Sequence, residues 1–456
     1  MGSGMADSWR RASVADLQRD KVLLVEDGNH GEYRPRPDEF VNSGTAFIRA
    51  ADMDAGVVRF GMTSKINARA LGRITKGIGA PGDVLLSHKG TVGKVAFVPD
   101  DAPPFVCSPQ TTFWRSLNSR VLDRRFLHAF MRSRGFHAQL AARAGETDMA
   151  PYVSLTSQRA LLVDLPPIEV QRAIVAVLGP IDDKIALDGR MNQTLEAMAR
   201  ALFKDWFIDF GPVRAKMEGR ETTLPMHVST LFSSDLSDDV PVGWRRSTLA
   251  SEVARWEGLI QTGPFGSQLH AADYVADGVP VAMPKDLSDK RISASTVARV
   301  PEHLARALSR HRLADGDIVY SRRGDVERFA VVGARETGWL CGTGCLLVRP
   351  GNKAPSTSFL SASLDRTATR AWIVRHAVGA TMLNLNTTIL GEVPLLMPDD
   401  ALLVEFDRIC APLVAKQAAL EAESDTLASL RDLLLPQLLC GALRIRDAEQ
   451  QVAEAL

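Results

Sequence analysis

Between Ile168 and Phe210, apolar residues recur at alternating spacings of three and four: Ile174, Leu178, Ile181 and Ile185, then Leu195, Ala199, Leu202 and Trp206. That spacing lines one side of an α-helix. Asp188 and Asn192 fall on the same stripe, where polar residues cost stability but fix register and partner. The pair Gly179-Pro180 predicts a restart, with Pro180 in the first turn of the helix. From Ile181 to Ile208 such a helix is roughly 42 Å long. The stretch occurs a second time. Pro180 is matched by Pro412, 232 positions on (412 − 180), Lys184 by Lys416, Thr194-Leu195 by Thr426-Leu427, and Leu202 by Leu434. The second copy has its own seam of Ile409, Leu413, Leu420, Leu427, Leu430 and Leu434, interrupted by Lys416 and Glu423. Two long helices with matched seams predict an intramolecular pair. Two amphipathic helices packed on separate cores are the alternative.

Outside the helices the pattern shortens. Ala46-Phe47-Ile48, Val57-Val58, Val84-Leu85-Leu86 and Val95-Ala96-Phe97-Val98 alternate with Gly, Pro, Asp and Asn turns. This predicts a β-rich mixed domain with a helical stretch from Arg124 to Ala144. Gly211 to Gly243 holds several prolines and glycines and a Ser/Asp run, and reads as a surface connector. The expected division is a first domain over 5–167, a central helix over 168–210, the connector over 211–243, a second β-rich domain over 244–400, a C-terminal helix over 401–440 and a tail over 441–456.

The β-rich domains repeat as well. Trp9-Arg10-Arg11 returns as Trp244-Arg245-Arg246 at an offset of 235 (244 − 9). Gly82-Asp83 and Gly316-Asp317, Ser87 and Ser321, Gly90 and Gly324, Val92 and Val326, Ala96 and Ala330, Cys107 and Cys341, and Arg115 and Arg349 share an offset of 234 (316 − 82). Chance does not hold one offset over so many positions. The chain is domain, helix, domain, helix: a tandem duplication with a period far longer than a solenoid repeat. The expected fold class is α+β, with two β-rich mixed domains separated by a pair of long helices.

At 456 residues the chain has room for two or three domains. Its 45% apolar and 24% charged residues are an ordinary globular balance. Lys plus Arg and Asp plus Glu both total 54. A nucleic-acid binder working alone is usually more basic, so DNA binding would need local patches or a partner's charge. The cysteines are Cys107, Cys341, Cys345, Cys410 and Cys440, with no CxxC spacing and no zinc-ligand pattern. Their odd, sparse number fits a reducing cytoplasm. No run of apolar residues is long enough for a membrane span. Met1-Gly2-Ser3-Gly4 reads as an added segment ahead of a native start at Met5, and no signal peptide is expected.

No catalytic constellation emerges, so no catalytic or metal-binding residue is expected. Gly77-Ile78-Gly79-Ala80-Pro81-Gly82 matches GxGxxG, but a strand-like run follows it where a dinucleotide fold needs a helix, and it reads as a turn. Gly90 to Val95 is a fragment of a phosphate loop, and Ala102-Pro103-Pro104-Phe105 lacks the polar residue that an amino-methyltransferase motif carries before its prolines. What remains are small-residue loops with donors. In the first domain these are Asp27-Gly28-Asn29-His30-Gly31 and Ser87-His88-Lys89-Gly90-Thr91. In the second they are Gln261 to Gln268 and Ser321-Arg322-Arg323-Gly324. Glycine lets a backbone approach a phosphate, and Asn, Gln, Arg and His read base edges. The candidate DNA contacts are therefore Asn29, His30, His88, Lys89 and Thr91 in the first domain. In the second they are Gln261, Phe265, Ser267, Gln268, Lys285, Arg322 and Arg323. Tight turns with solvated charges are the alternative. The coiled-coil positions are Ile181, Ile185, Leu195, Leu202 and Trp206 facing Leu413, Leu420, Leu427 and Leu434.

These residues resemble the specificity subunit of type I restriction-modification enzymes over nearly the whole chain. The most specific part is Gln171, Ile174, Ile181-Asp182, Lys184-Ile185, Asn192, Leu195-Glu196, Phe203, Trp206-Phe207, Asp209-Phe210 and Pro212. Leu434-Leu435-Pro436-Gln437-Leu438-Leu439-Cys440-Gly441 resembles that family's second such region, and Gly263-Pro264-Phe265-Gly266-Ser267 with Gly278-Val279-Pro280 the start of its target-recognition domains. Two departures stand out. Asp325-Val326-Glu327 has no counterpart of Gly93, and Val404-Glu405-Phe406-Asp407 none of Gln171. The resemblance implies two recognition domains held by an antiparallel coiled coil, each reading one half of a split, asymmetric double-stranded DNA target. Helix length then predicts the gap: a helix of roughly 42 Å sets the half-site centres about one DNA turn apart. It implies no cofactor in this chain. S-adenosylmethionine is expected on two methyltransferase subunits, and ATP and Mg on two restriction-translocase subunits. An autonomous methyltransferase and a coiled-coil scaffold without DNA are the alternatives.

Overall fold

The computed structural model describes residues 9–28, 31–54, 56–144, 151–294, 297–379 and 381–455. Two compact units result. One joins the chain up to Arg190 with the stretch from Leu420 onward; the other is Met191–Ala419.

In the first unit, β1 (Arg10–Ser13) pairs antiparallel with the strand that precedes the long helix, so the domain is closed where the helix leaves it. Its central sheet is built on β2 (Leu23–Asp27), β3 (Val84–Ser87), β4 (Val95–Phe97) and β5 (Thr111–Ser116), ordered β2-β5-β3-β4 and extended by Val57–Val58 and Met53–Asp54. The closing strand is β6 (Leu162–Leu165). Every residue of β3 is buried, which is why it reads as an unbroken apolar run rather than an alternation. The second unit repeats the plan. β7 (Arg245–Thr248) closes on β12 (Pro394–Met397), around a sheet of β8 (Leu259–Thr262), β11 (Cys345–Arg349), β9 (Ile318–Ser321) and β10 (Phe329–Val331) in that order. The offset survives as geometry. Arg115 Nε donates to Asp83 at 2.7 Å, and Arg349 Nε to Asp317 at 2.8 Å. The helical stretch after β5 is α1 (Arg124–Met131) followed by a second helix over Arg134–Ala144.

The long helices are α2 (Ile168–Phe207) and α3 (Asp400–Leu439), each of 40 residues. The expected restart at Pro180 does not occur, and α2 runs through it. A proline inside a helix removes one hydrogen bond. Here buried Ile174, Val177 and Leu178 before it and Ile181 and Ile185 after it pack on one continuous core, which holds the axis. Gln171 anchors the earlier start: its side chain accepts from Asp123 N–H at 2.9 Å and donates to Pro166 O at 2.8 Å.

The pair is antiparallel in both units. In the first, Asp182 meets Arg431 and Lys184 meets Glu423, so one helix climbs as the other descends. In the second, Gln417 Nε2 donates to Asn192 O at 3.1 Å, and the Phe203 and Phe406 rings lie 6.1 Å apart. Ile181, Ile185, Trp206, Leu420, Leu427 and Leu434 are buried, and Leu195, Leu202 and Leu413 half-buried, as a shared seam requires. Asp188 is enclosed and held by Lys184 Nζ at 2.7 Å, while Lys416 is exposed rather than in the seam.

Two expectations are overturned. The stretch 211–243 is no loose connector: Val213, Val228 and Phe232 join the core of the second unit. Nor is 441–456 a free tail. Ile445–Ala455 forms α4, and its Ala448 and Val452 are buried in the first unit's core. In the C-terminal segment Ile445, Ala448 and Val452 recur at spacings of three and four, a helical stripe too short to stand out in the sequence.

Each unit fastens its sheet domain to the helices with charge. In the second, Lys290 reaches Glu196 of α2 at 3.0 Å. In the first, Asp182 accepts from Arg132 at 2.8 Å and from Arg431 at 3.0 Å. His128 of α1 lies beside this knot, and its burial lowers its pKa to about 3. In the unfolded chain a histidine titrates near 6.5. His128 is therefore protonated first in the unfolded state, so its contribution is full above pH 6.5 and is lost as pH falls toward 3. Between pH 7 and 5 it should remove about 2 kcal/mol of stability. Thermal unfolding of the wild type and His128→Gln across that range checks this. Equal pH slopes would mean that His128 already carries a charge in the folded state.

Candidate nucleic-acid interface

The candidate loops leave one end of each central sheet. In the first unit β2 ends opposite Thr112 and β3 opposite Thr111, so the chain after Asp27 and the loop after Ser87 emerge side by side. In the second unit β8 ends opposite Leu346 and β9 opposite Cys345, so Gly263 to Gln268 and Arg322-Arg323 emerge likewise. The loop bases are built alike. Ser87 N–H donates to Lys94 O at 2.8 Å and Ser321 N–H to Arg328 O at 2.9 Å. Gly90 and Gly324 both take φ of +78°, the left-handed region that glycine enters without strain. The missing glycine matters further along. Gly93 takes φ of +99°, whereas Glu327 is not among the positive-φ residues, and the second loop instead buries Val326 and pairs Asp325 with Arg328 at 2.7 Å.

The sequence-predicted residues divide by what their side chains do. Lys89, Thr91, Ser267, Gln268, Lys285 and Arg323 are exposed, Phe265 is 54% exposed and Arg322 is half-buried. Gln268 Oε1 accepts from Phe265 N–H at 3.1 Å and so shapes the turn that presents the ring. Two expectations of surface contact need correcting. His88 is only 2% exposed, its Nδ1 lies 3.1 Å from Val153 O, and burial pushes its pKa below the ordinary histidine value. Gln261 Nε2 donates to Arg310 O at 2.7 Å. His88 is enclosed under the sheet end, whereas Gln261 is half-buried with its amide engaged by backbone. Asn29 and His30 lie outside the described residues.

A bracing segment behind each loop was not singled out from sequence. Residues 151–153 hold the first loop and 383–385 the second. Gly90 N–H donates to Pro151 O and Gly324 N–H to Leu383 O, both at 2.9 Å. Their shared offset of 232 (383 − 151) is the one that relates the helices, a signal visible only once the helical frame is extended backward.

The GxGxxG run is a turn, with Gly77 and Gly82 at φ of +68° and +84° and β3 following it. Among the described residues no cluster of three or more His, Cys, Asp or Glu side chains could hold a metal, and no helix is long and apolar enough to cross a membrane.

No protein-family model matches the chain. It is 25% identical over 411 residues to the type I restriction enzyme HindI specificity subunit of Haemophilus influenzae, covering 79% of this chain and 86% of that protein. The chain is similar over most of its length to specificity subunits of type I restriction enzymes. The MjaIX specificity subunit of Methanocaldococcus jannaschii is 21% identical over 370 residues, covering 80% of this chain and 78% of that protein. Among solved structures, the type I restriction-modification S subunit from M. genitalium aligns with 94% of this chain and 96% of its own, at 14% identity and a TM-score of 0.49. Specificity subunits are the non-catalytic members of their systems. Nothing in the fold favours an autonomous methyltransferase or a scaffold without DNA.

Proposed function

We propose that this chain is the specificity subunit of a type I restriction-modification complex and reads a split, asymmetric double-stranded DNA sequence, one half with each unit. The observation that supports this best is the duplicated loop base with a cation at matched positions, Lys89 in one copy and Arg323 in the other. A duplicated frame carrying different side chains fits two different half-sequences, because base readout depends on side-chain donors and acceptors. The proposed contacts are Lys89 and Thr91 in the first unit and Phe265, Ser267, Gln268, Lys285, Arg322 and Arg323 in the second. Two methyltransferase subunits, carrying S-adenosylmethionine, dock on the helices. Two restriction-translocase subunits, using ATP and Mg, complete the assembly in the cytoplasm. The helix pair sets the gap between the halves. The chain's equal numbers of acidic and basic residues support the need for partners, which add phosphate contacts of their own.

The purified chain is expected to show neither methylation nor cleavage. Supplied with methyltransferase subunits, it should direct methylation to a single bipartite sequence, as methylation-site mapping would show. Robust methylation by the chain alone would overturn this reading.

A further inference from the structure

Each reading loop is paired with one residue of the bracing segment. Lys89 forms an isolated β-bridge with Tyr152, and Arg323 forms one with Asn384. The flanking bonds match: Val153 N–H donates to His88 O and Leu385 N–H to Arg322 O, both at 2.9 Å. Tyr152 and Asn384 thus hold the same place in the duplicated frame, each on fixed backbone beside an exposed cation. Their chemistry differs. The Tyr152 ring lies against the buried His88 ring, with centroids 5.5 Å apart, and Lys89 Nζ is 5.9 Å from its centre. Asn384 is half-buried, and its Oδ1 is enclosed without a hydrogen-bond partner, as is Nε of the neighbouring Arg322. An amide acceptor and a guanidinium donor left unpaired in one small region are costly, and such groups concentrate where a ligand completes them.

Resting on the DNA-reading function above, we infer that residues 152 and 384 determine specificity, one in each half-site. Asn384 meets a base edge in the second half-sequence once its side chain turns Oδ1 out of its enclosed position. Its amide offers a donor and an acceptor side by side, the pattern that matches N6 and N7 of adenine in the major groove. Arg322, beside it, contacts the same strand. Tyr152, steadied by His88 and Lys89, presents its ring and hydroxyl to the first half-sequence.

The test uses the complex with methyltransferase subunits on a library of randomised targets. Asn384→Ala should lower modification of the native second half-sequence by about tenfold or more and relax one base pair there, within the range that a bidentate pair discriminates. Asn384→Asp keeps the shape but offers only acceptors, so preference at that pair should move toward cytosine. It also serves as the second variant should the alanine form fail to assemble. Tyr152→Ala should change the first half alone, and Tyr152→Phe should separate the hydroxyl from the ring. Unchanged half-sequences in all assembled variants would overturn the inference. Lys89→Ala and Arg323→Ala are measured alongside. If these weaken DNA binding while the 152 and 384 variants read normally, the inference fails and the DNA-reading function stands. If none of the four positions affects DNA binding, both fail.

Discussion

Asp182→Ala is expected to destabilise the first unit by about 3 kcal/mol, the lower end of the roughly 3–5 kcal/mol seen when one partner of a buried ion pair is removed. Asp182 pairs with both Arg132 and Arg431, whose side chains are 14% and 8% exposed. Without it two guanidinium groups remain enclosed, with the 64% exposed Asp432 at the rim pairing directly with Arg431. The lower end applies because a quarter of the Asp182 side chain still meets solvent. Its neighbour is the control: Asp183 pairs with Arg125 at 2.9 Å but is 60% exposed. Asp183→Ala should therefore cost no more than about 1 kcal/mol. Denaturant unfolding of both variants decides the matter, and equal losses would show that the Asp182 knot contributes no more than a surface pair. Because the knot joins α1 to both α2 and α3, its loss should also loosen the first sheet domain while leaving the second unit's melting unchanged.

The double variant Arg322→Ala and Arg323→Ala should lower the slope of log affinity against log salt by about two, and Lys89→Ala by about one. Each removed phosphate contact releases one counterion fewer on binding. The measurement is DNA binding by the complex with methyltransferase subunits over a salt series, with one half-sequence scrambled at a time. The arginine pair should matter only when the second half is present, and Lys89 only when the first is. Arg323 is the more exposed of the two and should carry the larger share. Unchanged slopes in both variants would show that these loops carry solvated charges and make no phosphate contact.

The candidate interface was legible only in part. The offset that joins Ser87 to Ser321 and Gly90 to Gly324 located the two loops, because duplicated backbone needs the same small residues at the same turns. Which side chains face outward was not legible. His88 and Lys89 are adjacent polar residues in the sequence, yet one is under the sheet end and the other on it. Burial there depends on Val153, which comes from a segment 65 residues away. Tyr152 and Asn384 stayed hidden for the same reason: neither lies in a motif, and each gains meaning from the strand pairing that sets it beside a cation.

What the sequence determined by itself was the duplication, the two long helices and their seam, since helical periodicity and a repeated offset are local properties of the chain. It also excluded the dinucleotide reading of Gly77 to Gly82, where a strand follows the glycines. Periodicity alone left the sense of the pair open, because parallel and antiparallel seams bury the same stripe. The antiparallel sense that the resemblance implied is fixed by the ion pairs Asp182–Arg431 and Lys184–Glu423, which form only once the chain is folded. The tertiary structure alone decided that α2 continues through Pro180, since packing on both sides of a missing hydrogen bond outweighs the local preference to stop. The placing of 211–243 and of α4 in the two cores was likewise tertiary: their few apolar residues become core only where another element offers a face to receive them.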